Sequence, residues 1–379
     1  MEFSQTSCLA WPILNPNQHI KGNLLSHQPN PELSNQALDY PFGKRWSPEP
    51  GKPFEVADGV YWLRMPLPIA LDHINLWLLK DDDGMWTIVD TGYDDQSCKD
   101  VWEEVFASFC SPENIKQIII THFHPDHIGL AAWLANRCNV PILISKGEFD
   151  HYTEIVNRDA DAFAKTVLTF AGDIGFNEQV AHVYASFFGQ SKKSPDARVQ
   201  KEQCIFIKEG DGIKIADRLW CAVAGNGHSP EHICLFNEDL NTLISGDQAI
   251  ARISSNVSVY PSDPTANPLK DWLESCVKLR DQITADALIL ASHQEPFKGI
   301  KARMQKMIDD HHADLELLRQ ALVHEMSAVQ ARKILFNREL DPIQTVLATG
   351  ETLSHLNYLI DRGYITSNRL NGVTKYKLV

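Results

Sequence analysis

From Val56 onward, short runs dominated by apolar residues alternate with longer stretches of helical period. GVYWLRM, INLWLLK and MWTIVD read as strands of a meander, the last two joined by the turn-forming DDDG at residues 81–84. A helical pattern over residues 96–109 leads to the strand IKQIII, a helix over 129–136 and the strand VPILIS. Alternation of this kind belongs to α/β folds with layered sheets and helices. Residues 148–190 are largely helical in pattern. Their aromatics (Tyr152, Phe163, Phe170, Phe176, Tyr184, Phe187, Phe188) are expected to pack between helices. Strands resume with CIFIK, DGIKIA, LWCAVA, HICLF and LNTLISGD, followed by a helix over 268–283 and the strand ALILAS.

The two ends differ from this body. Residues 1–53 are rich in Pro, Asn, Gln and Ser without a sustained period, which predicts an extended arm with no catalytic role. An amphipathic stretch over 299–326 predicts a connecting helix. The tail, residues 327–379, predicts helices over 329–336, 343–348 and 351–362, then a hairpin turning at Asn371-Gly372, a pair suited to a type I′ turn. Helices followed by a hairpin describe a small winged-helix domain. The main domain is thus expected over 54–298, with a helical insertion at 148–190.

Composition narrows the function. A net charge of −14 over 379 residues argues against a chain whose main partner is nucleic acid, which needs a basic surface to release counterions. The tail from Ser327 carries seven Lys and Arg against four acids, net +3, which leaves the remainder at −17. Its third predicted helix offers only Arg362 near its end. The tail is therefore read as a structural, dimer-forming or pocket-covering module in preference to a reader of DNA. No apolar stretch reaches the roughly 18–20 residues that span a bilayer. The eight cysteines lack CxxC spacing, and most are read as reduced. With no basic segment at the N-terminus, these features predict a cytoplasmic protein.

The chemistry concentrates in THFHPDHIGLAA, residues 121–132, immediately after the apolar run IKQIII. Imidazole and carboxylate are seldom buried without partners, and a strand end facing a helix start is where sites form. Alternation along an extended segment lets His122 and His124 address one centre, while the turn at Pro125 swings Asp126 and His127 toward another. His228 after LWCAVA, Asp247 after LNTLI and His293 after ALILA also follow apolar strands. Together they make five histidines and two aspartates, a set that suits Zn²⁺ or a similar divalent ion, with a carboxylate able to bridge two metals.

HFHPDH, the preceding IVDTG, GHSPEH, SGD and the late SH, in this order, resemble the metallo-β-lactamase superfamily over residues 56–298. The tail resembles the winged helix appended in the branch containing lactamase-like hydrolases and thioesterases. The resemblance implies a four-layer αββα sandwich. It assigns His122, His124 and His228 to one metal, Asp126, His127 and His293 to a second, and Asp247 to the bridge, with Asp90 orienting the ligand loops. It also implies a metal-dependent hydrolase that activates water with two divalent ions, most simply Zn²⁺, with Mn²⁺ and Fe²⁺ as alternatives. Asp126 orients the nucleophile as well as binding metal. The expected substrate is a small molecule carrying an ester or thioester, such as an acyl-CoA or lactone; the alternative is a single-stranded RNA phosphodiester. A drug-destroying enzyme of the main zinc class would place cysteine where Asp247 stands.

Other residues carry weaker expectations. His232 is a neighbour of the metals or simply structural. Arg252, Asn256 and Tyr260 line the substrate mouth or form a surface loop, and His73 sits at the pocket rim. His151, His182, His311, His312, His324 and His355 are expected to be structural or solvent-facing.

Overall fold

The structure, a computed structural model, describes residues 6–7, 28–68, 71–188 and 197–379; much of the expected arm, Cys8, and the side chains of Phe187 and Phe188 lie outside the described residues. One sheet has seven strands in the order β2 (Phe54–Ala57), β3 (Val60–Pro66), β4 (His73–Lys80), β5 (Trp86–Val89), β6 (Ile115–Ile119), β7 (Ile142–Ser145) and β8 (Cys204–Ile207). It begins as an antiparallel meander and becomes parallel from β5 onward. The other has six, in the order β1 (Thr6–Ser7), β9 (Asp211–Ile215), β10 (Arg218–Gly225), β11 (His232–Asn237), β12 (Thr242–Gly246) and β13 (Leu288–Ala291).

The strands read as unbroken apolar runs because both faces are covered. In β4, Ile74, Leu76 and Leu78 turn outward beneath α2 (Gln96–Ser108), α4 (Ala131–Cys138) and α5 (Lys146–Asn157), while Trp77 and Leu79 turn inward against the second sheet. Residues Ile118 and Ile120 face out beside Ile119 facing in, the period-2 alternation of a strand. Trp220, Ile233, Leu235 and Leu290 of the second sheet close the central layer. Its outer face is covered by α8 (Pro268–Gln282) and α9 (Ile300–Ala321), which completes the sandwich of two sheets flanked by helices.

The third core runs from α8 and α9 into α6 (Ala160–Ile174), α7 (Glu178–Phe188), α10 (Ala328–Leu335) and α11 (Pro342–Asp361), and reaches Ile365 and Tyr376 of the hairpin β14 (Ile365–Leu370) and β15 (Val373–Leu378). The helical insertion and the C-terminal module therefore share one apolar interior. The stretch expected as a connector is α9, whose Met304, Met307, Ile308, Leu315 and Leu318 are buried in it. In the N-terminal arm, α1 (Pro31–Ser34) is followed by a backbone bridge between Asp39 and Lys298. Among the described residues six cysteines are free thiols, in line with most being reduced, and Cys221 is disulfide-bonded.

The tail differs from expectation at one point. Two helices are expected over 343–348 and 351–362, parted at residues 349–350, but α11 runs through without a break. Gly350 serves a close approach instead of a stop. A Cβ there would lie 2.9 Å from Ser258 Oγ and 3.2 Å from the Val259 carbonyl oxygen, and the Val259 N–H donates to the Gly350 carbonyl at 3.1 Å.

A second close approach fixes the loop after β6. A Cβ on Gly129 would stand 2.5 Å from the Gly92 carbonyl oxygen and 2.8 Å from the Asp94 nitrogen. Gly129→Ala is therefore expected to destabilise the fold by about 1–3 kcal/mol, because backbone cannot yield as a side chain would. Gly172→Ala, on α6 where nothing lies within 4 Å, should instead be neutral or gain about 0.5–1 kcal/mol. Thermal melts of the two variants check the contrast.

Candidate metal centre

Five loops that follow strands meet at one end of the sandwich. β5 leads to Asp90, β6 to His122, β10 to His228, β12 to Asp247 and β13 to His293. Asp90 adopts a left-handed backbone (φ 60°), a sparsely populated state for a non-glycine residue. In that geometry its carboxylate accepts the Thr121 N–H at 2.8 Å, the Thr121 hydroxyl at 2.8 Å and His127 Nδ1–H at 2.7 Å. The Thr91 N–H and hydroxyl both donate to the His127 carbonyl, at 2.8 and 2.6 Å. The histidine loop is thus fastened to the end of the neighbouring strand, with Asp90 as the fastening expected of it.

Each imidazole is set in one tautomer by what its far nitrogen meets. His127 Nδ1 donates to Asp90, His228 Nδ1 to the Asn256 carbonyl at 2.7 Å, and His293 Nδ1 to the His73 carbonyl at 3.0 Å. Thr121 gives its hydroxyl hydrogen to Asp90, so its oxygen accepts from His122 Nδ1 at 3.1 Å. All four turn a bare Nε2 toward a common space. His122 Nε2 stands 2.9 Å from His124 Nδ1.

The seven expected side chains gather in that space as two groups. Ligand atoms of His122, His124, His228 and Asp247 lie within 4.8 Å of one another, as do those of Asp126, His127 and His293. Asp247 touches both: its Oδ2 is 3.4 Å from His228 Nε2, and its Oδ1 is 3.5 Å from His127 Nε2 and 3.6 Å from His293 Nε2. Asp126 Oδ2 lies 3.4 Å from His293 Nε2. His127 Nε2, His228 Nε2 and Asp247 Oδ1 are buried with no hydrogen-bond partner. Buried lone pairs facing one another across 3.4–3.6 Å are too far apart to bond and well placed to share a cation. The residues therefore fit a divalent metal.

Electrostatics agree. Burial would raise the Asp247 carboxyl, yet His293 and His127 hold it well below its ordinary range. Burial opposes charging of His127, but Asp90, Asp126 and Asp247 overcome it and push the imidazole well upward. The negative field that would otherwise draw a proton onto His127 Nε2 equally favours a cation in its place.

Glu148, at the start of α5, was not anticipated from sequence. It is fully buried and ties two ligand loops together, accepting the Phe123 N–H at 2.9 Å, the Ser229 hydroxyl at 2.5 Å and the Glu231 N–H at 2.7 Å. Phe123 lies between His122 and His124, and Ser229 follows His228, so one carboxylate sets both loops. Burial pushes its carboxyl upward, with these donors pulling the other way.

His232 is buried; its Nε2 accepts the Asp247 N–H at 3.2 Å, so it positions the backbone of the bridging candidate. Burial pushes its pKa down to about 3, which keeps it a neutral acceptor. His73 donates Nδ1–H to Asp72 and accepts the Gln294 N–H, at 2.5 and 3.0 Å, fixing the loop that carries His293. Arg252 does not present a free guanidinium: it forms a two-pronged ion pair with Glu295. Asn256 orients His228 through its carbonyl and donates its amide to Glu351 of α11 at 3.2 Å. Tyr260 is partly buried, its hydroxyl pushed up to about 12 by burial and by Glu148. His182 and His324 are exposed, and the ring of His151 lies 4.5 Å from that of Phe123. His311 and His355 pair with each other, Nδ1 to Nε2, at 3.2 Å.

Residues 70–324 match the metallo-beta-lactamase superfamily, and residues 315–379 match the C-terminal domain of metallo-beta-lactamase-like proteins. A crystal structure of a beta-lactamase domain protein from Burkholderia ambifaria is 39% identical and covers 92% of this chain and 100% of its own, with a TM-score of 0.81. The chain belongs to the metallo-beta-lactamase superfamily. A metallo-beta-lactamase family protein from Thermus thermophilus is 25% identical, covering 86% of this chain and 100% of its own at a TM-score of 0.71. Among curated relatives, the probable metallo-hydrolase YqjP of Bacillus subtilis is 25% identical over 82% of this chain and 95% of its own length. A hydroxyacylglutathione hydrolase of Marinomonas sp. is 25% identical over 48% of this chain and 49% of its own. Superfamily membership and the His/Asp clusters together make this protein a metal-dependent hydrolase. No described helix is long and apolar enough to cross a membrane.

Glu148→Gln keeps the volume but replaces one acceptor oxygen with a donor facing N–H and O–H groups. It should lower cation affinity by about 10–100-fold, the range for residues that orient metal ligands. Metal content after dialysis against a graded chelator series is the measurement.

Proposed function

We propose that the protein hydrolyses an ester or thioester of a small molecule with two divalent cations, Zn²⁺ first among them, held by His122, His124 and His228 on one side and Asp126, His127 and His293 on the other. The observation that carries this reading is the split of Asp247, whose two oxygens address separate groups of imidazole nitrogens. Cations bound there supply Lewis acidity, bringing the pKa of water toward neutrality and offsetting the negative charge that develops on an attacked carbonyl.

The chain's own residues supply the order. His127, His228 and His293, each held in one tautomer, direct lone pairs at fixed points, so nothing has to reorganise as charge develops. Asp126 is the more solvent-exposed of the two carboxylates at the centre, its side chain 17% accessible against 10% for Asp247, and so is placed to orient the incoming water. His232 and Glu148 hold Asp247 and the two histidine loops in register. A thiolate leaves more readily than an alkoxide because its conjugate acid is stronger, which favours thioesters within this class.

Two features support an acyl substrate over a polyanion. The net charge of −14 repels a nucleic-acid backbone, and Arg252 is engaged by Glu295. The hydroxyacylglutathione hydrolase among the relatives points in the same direction. Hydrolysis of acyl-CoA thioesters, acyl-glutathiones and lactones, measured beside cleavage of single-stranded RNA, tests the reading. Turnover of at least one acyl class is expected, lost on removing metal and restored by Zn²⁺. Cleavage of RNA with no acyl turnover would overturn it. Asp247→Ala and His228→Ala should each lower kcat/KM by about 100-fold or more, since even residues that only orient ligands typically cost 10–100-fold.

A further inference from the structure

Away from the strand ends, a second polar cluster lies between α9 and α11. His311 and Asp314 sit three residues apart on α9 and so share a face, while Glu351 and His355 do the same at four residues on α11. His311 and His355 are buried, and Asp314 is partly exposed. We propose that His311, Asp314 and His355 form a separate binding site for a single divalent cation of the Zn²⁺ class, clamping the C-terminal module to the outer layer of the sandwich.

The geometry carries the assignment. His355 Nδ1 lies 2.8 Å from the Glu351 carbonyl, an acceptor only, so Nδ1 bears the hydrogen and Nε2 a bare lone pair. That lone pair points at His311 Nδ1, 3.2 Å away. Two nitrogens at about 2.0–2.1 Å from one tetrahedral ion would be about 3.4 Å apart, close to this separation. An Asp314 oxygen completes a set whose atoms all lie within 4.8 Å of one another. No Lys or Arg among the described residues forms an ion pair with Asp314 or with the adjacent Glu351, so a cation would supply the missing positive charge. Asp314, at the partly exposed edge of the cluster, gives the ion a way in. Two imidazoles and a carboxylate select a borderline ion over Ca²⁺ or Mg²⁺.

Such an ion would also be linked to the main centre through hydrogen bonds. The Glu351 side chain accepts from Asn256, whose carbonyl fixes His228. The proposal does not rest on the hydrolase reading, and its test is a count of ions. Full-length protein is loaded with Zn²⁺, cleared of loose ions by gel filtration and analysed by mass spectrometry of the metal. Wild type should hold one ion per chain more than Asp314→Asn, whose partly exposed position spares the core, and one more than His355→Gln. In a background carrying His228→Ala and Asp247→Ala, Co²⁺ loading should still give a d–d absorption whose intensity falls by one ion's contribution on adding Asp314→Asn. Equal ion counts in wild type and Asp314→Asn, or no change in the Co²⁺ spectrum, would overturn the proposal whatever the substrate assays return.

Discussion

A carboxylate nearly withdrawn from water, set among imidazole nitrogens at the edge of hydrogen-bond reach, is the constraint on which this molecule is built. Asp247 has one oxygen with no hydrogen-bond partner and three Nε2 atoms at 3.4–3.6 Å. Removing an ionised carboxylate from water is costly unless opposite charge replaces the lost hydration. The surrounding loops keep those nitrogens from turning away: each Nδ1 is taken by an acceptor on a different element. Holding this arrangement takes the left-handed backbone of Asp90, the buried Glu148 and the bare Gly129, features that stability alone would not select.

The ligand candidates could be read from the sequence because their chemistry contradicts their surroundings. His122, His228, Asp247 and His293 each follow an apolar strand, where packing alone would put another aliphatic residue. The fold could be read for the same reason, since strands covered on both faces appear as uninterrupted runs such as ALILA. What escaped notice left no compositional trace. Glu148 is one acid near the start of an amphipathic helix, a place where acids are common. The acceptors for His228 and His293 are carbonyls of Asn256 and His73, and a carbonyl has no side-chain identity to read. Arg252 looked available because its partner Glu295 lies 43 residues away in sequence.

Gly350 taught the opposite lesson. A glycine in a helical stretch reads as a stop when only local propensity is considered, yet here its lack of a side chain lets the loop at Ser258 and Val259 lie against α11. Tertiary approach overrode propensity. That the expected catalytic body and appended module pack into a common core was hidden for a related reason. Buried residues of α9 contribute to one apolar interior shared by α8, α10 and α11, and no sequence period reports which helices share a core.

The position of the C-terminal module matters for the chemistry through this contact. The loop after β12 carries Asp247 at its start, Asn256 midway and Val259 beyond. Its middle is hydrogen-bonded to α11 through Asn256 and Glu351, and its end through Val259 and Gly350. A loop pinned at both points cannot swing, so the Asn256 carbonyl stays where His228 needs it. Loop-borne sites usually give up precision for adaptability. Here α11, anchored in the shared core, supplies the rigid support that the strands do not extend far enough to give.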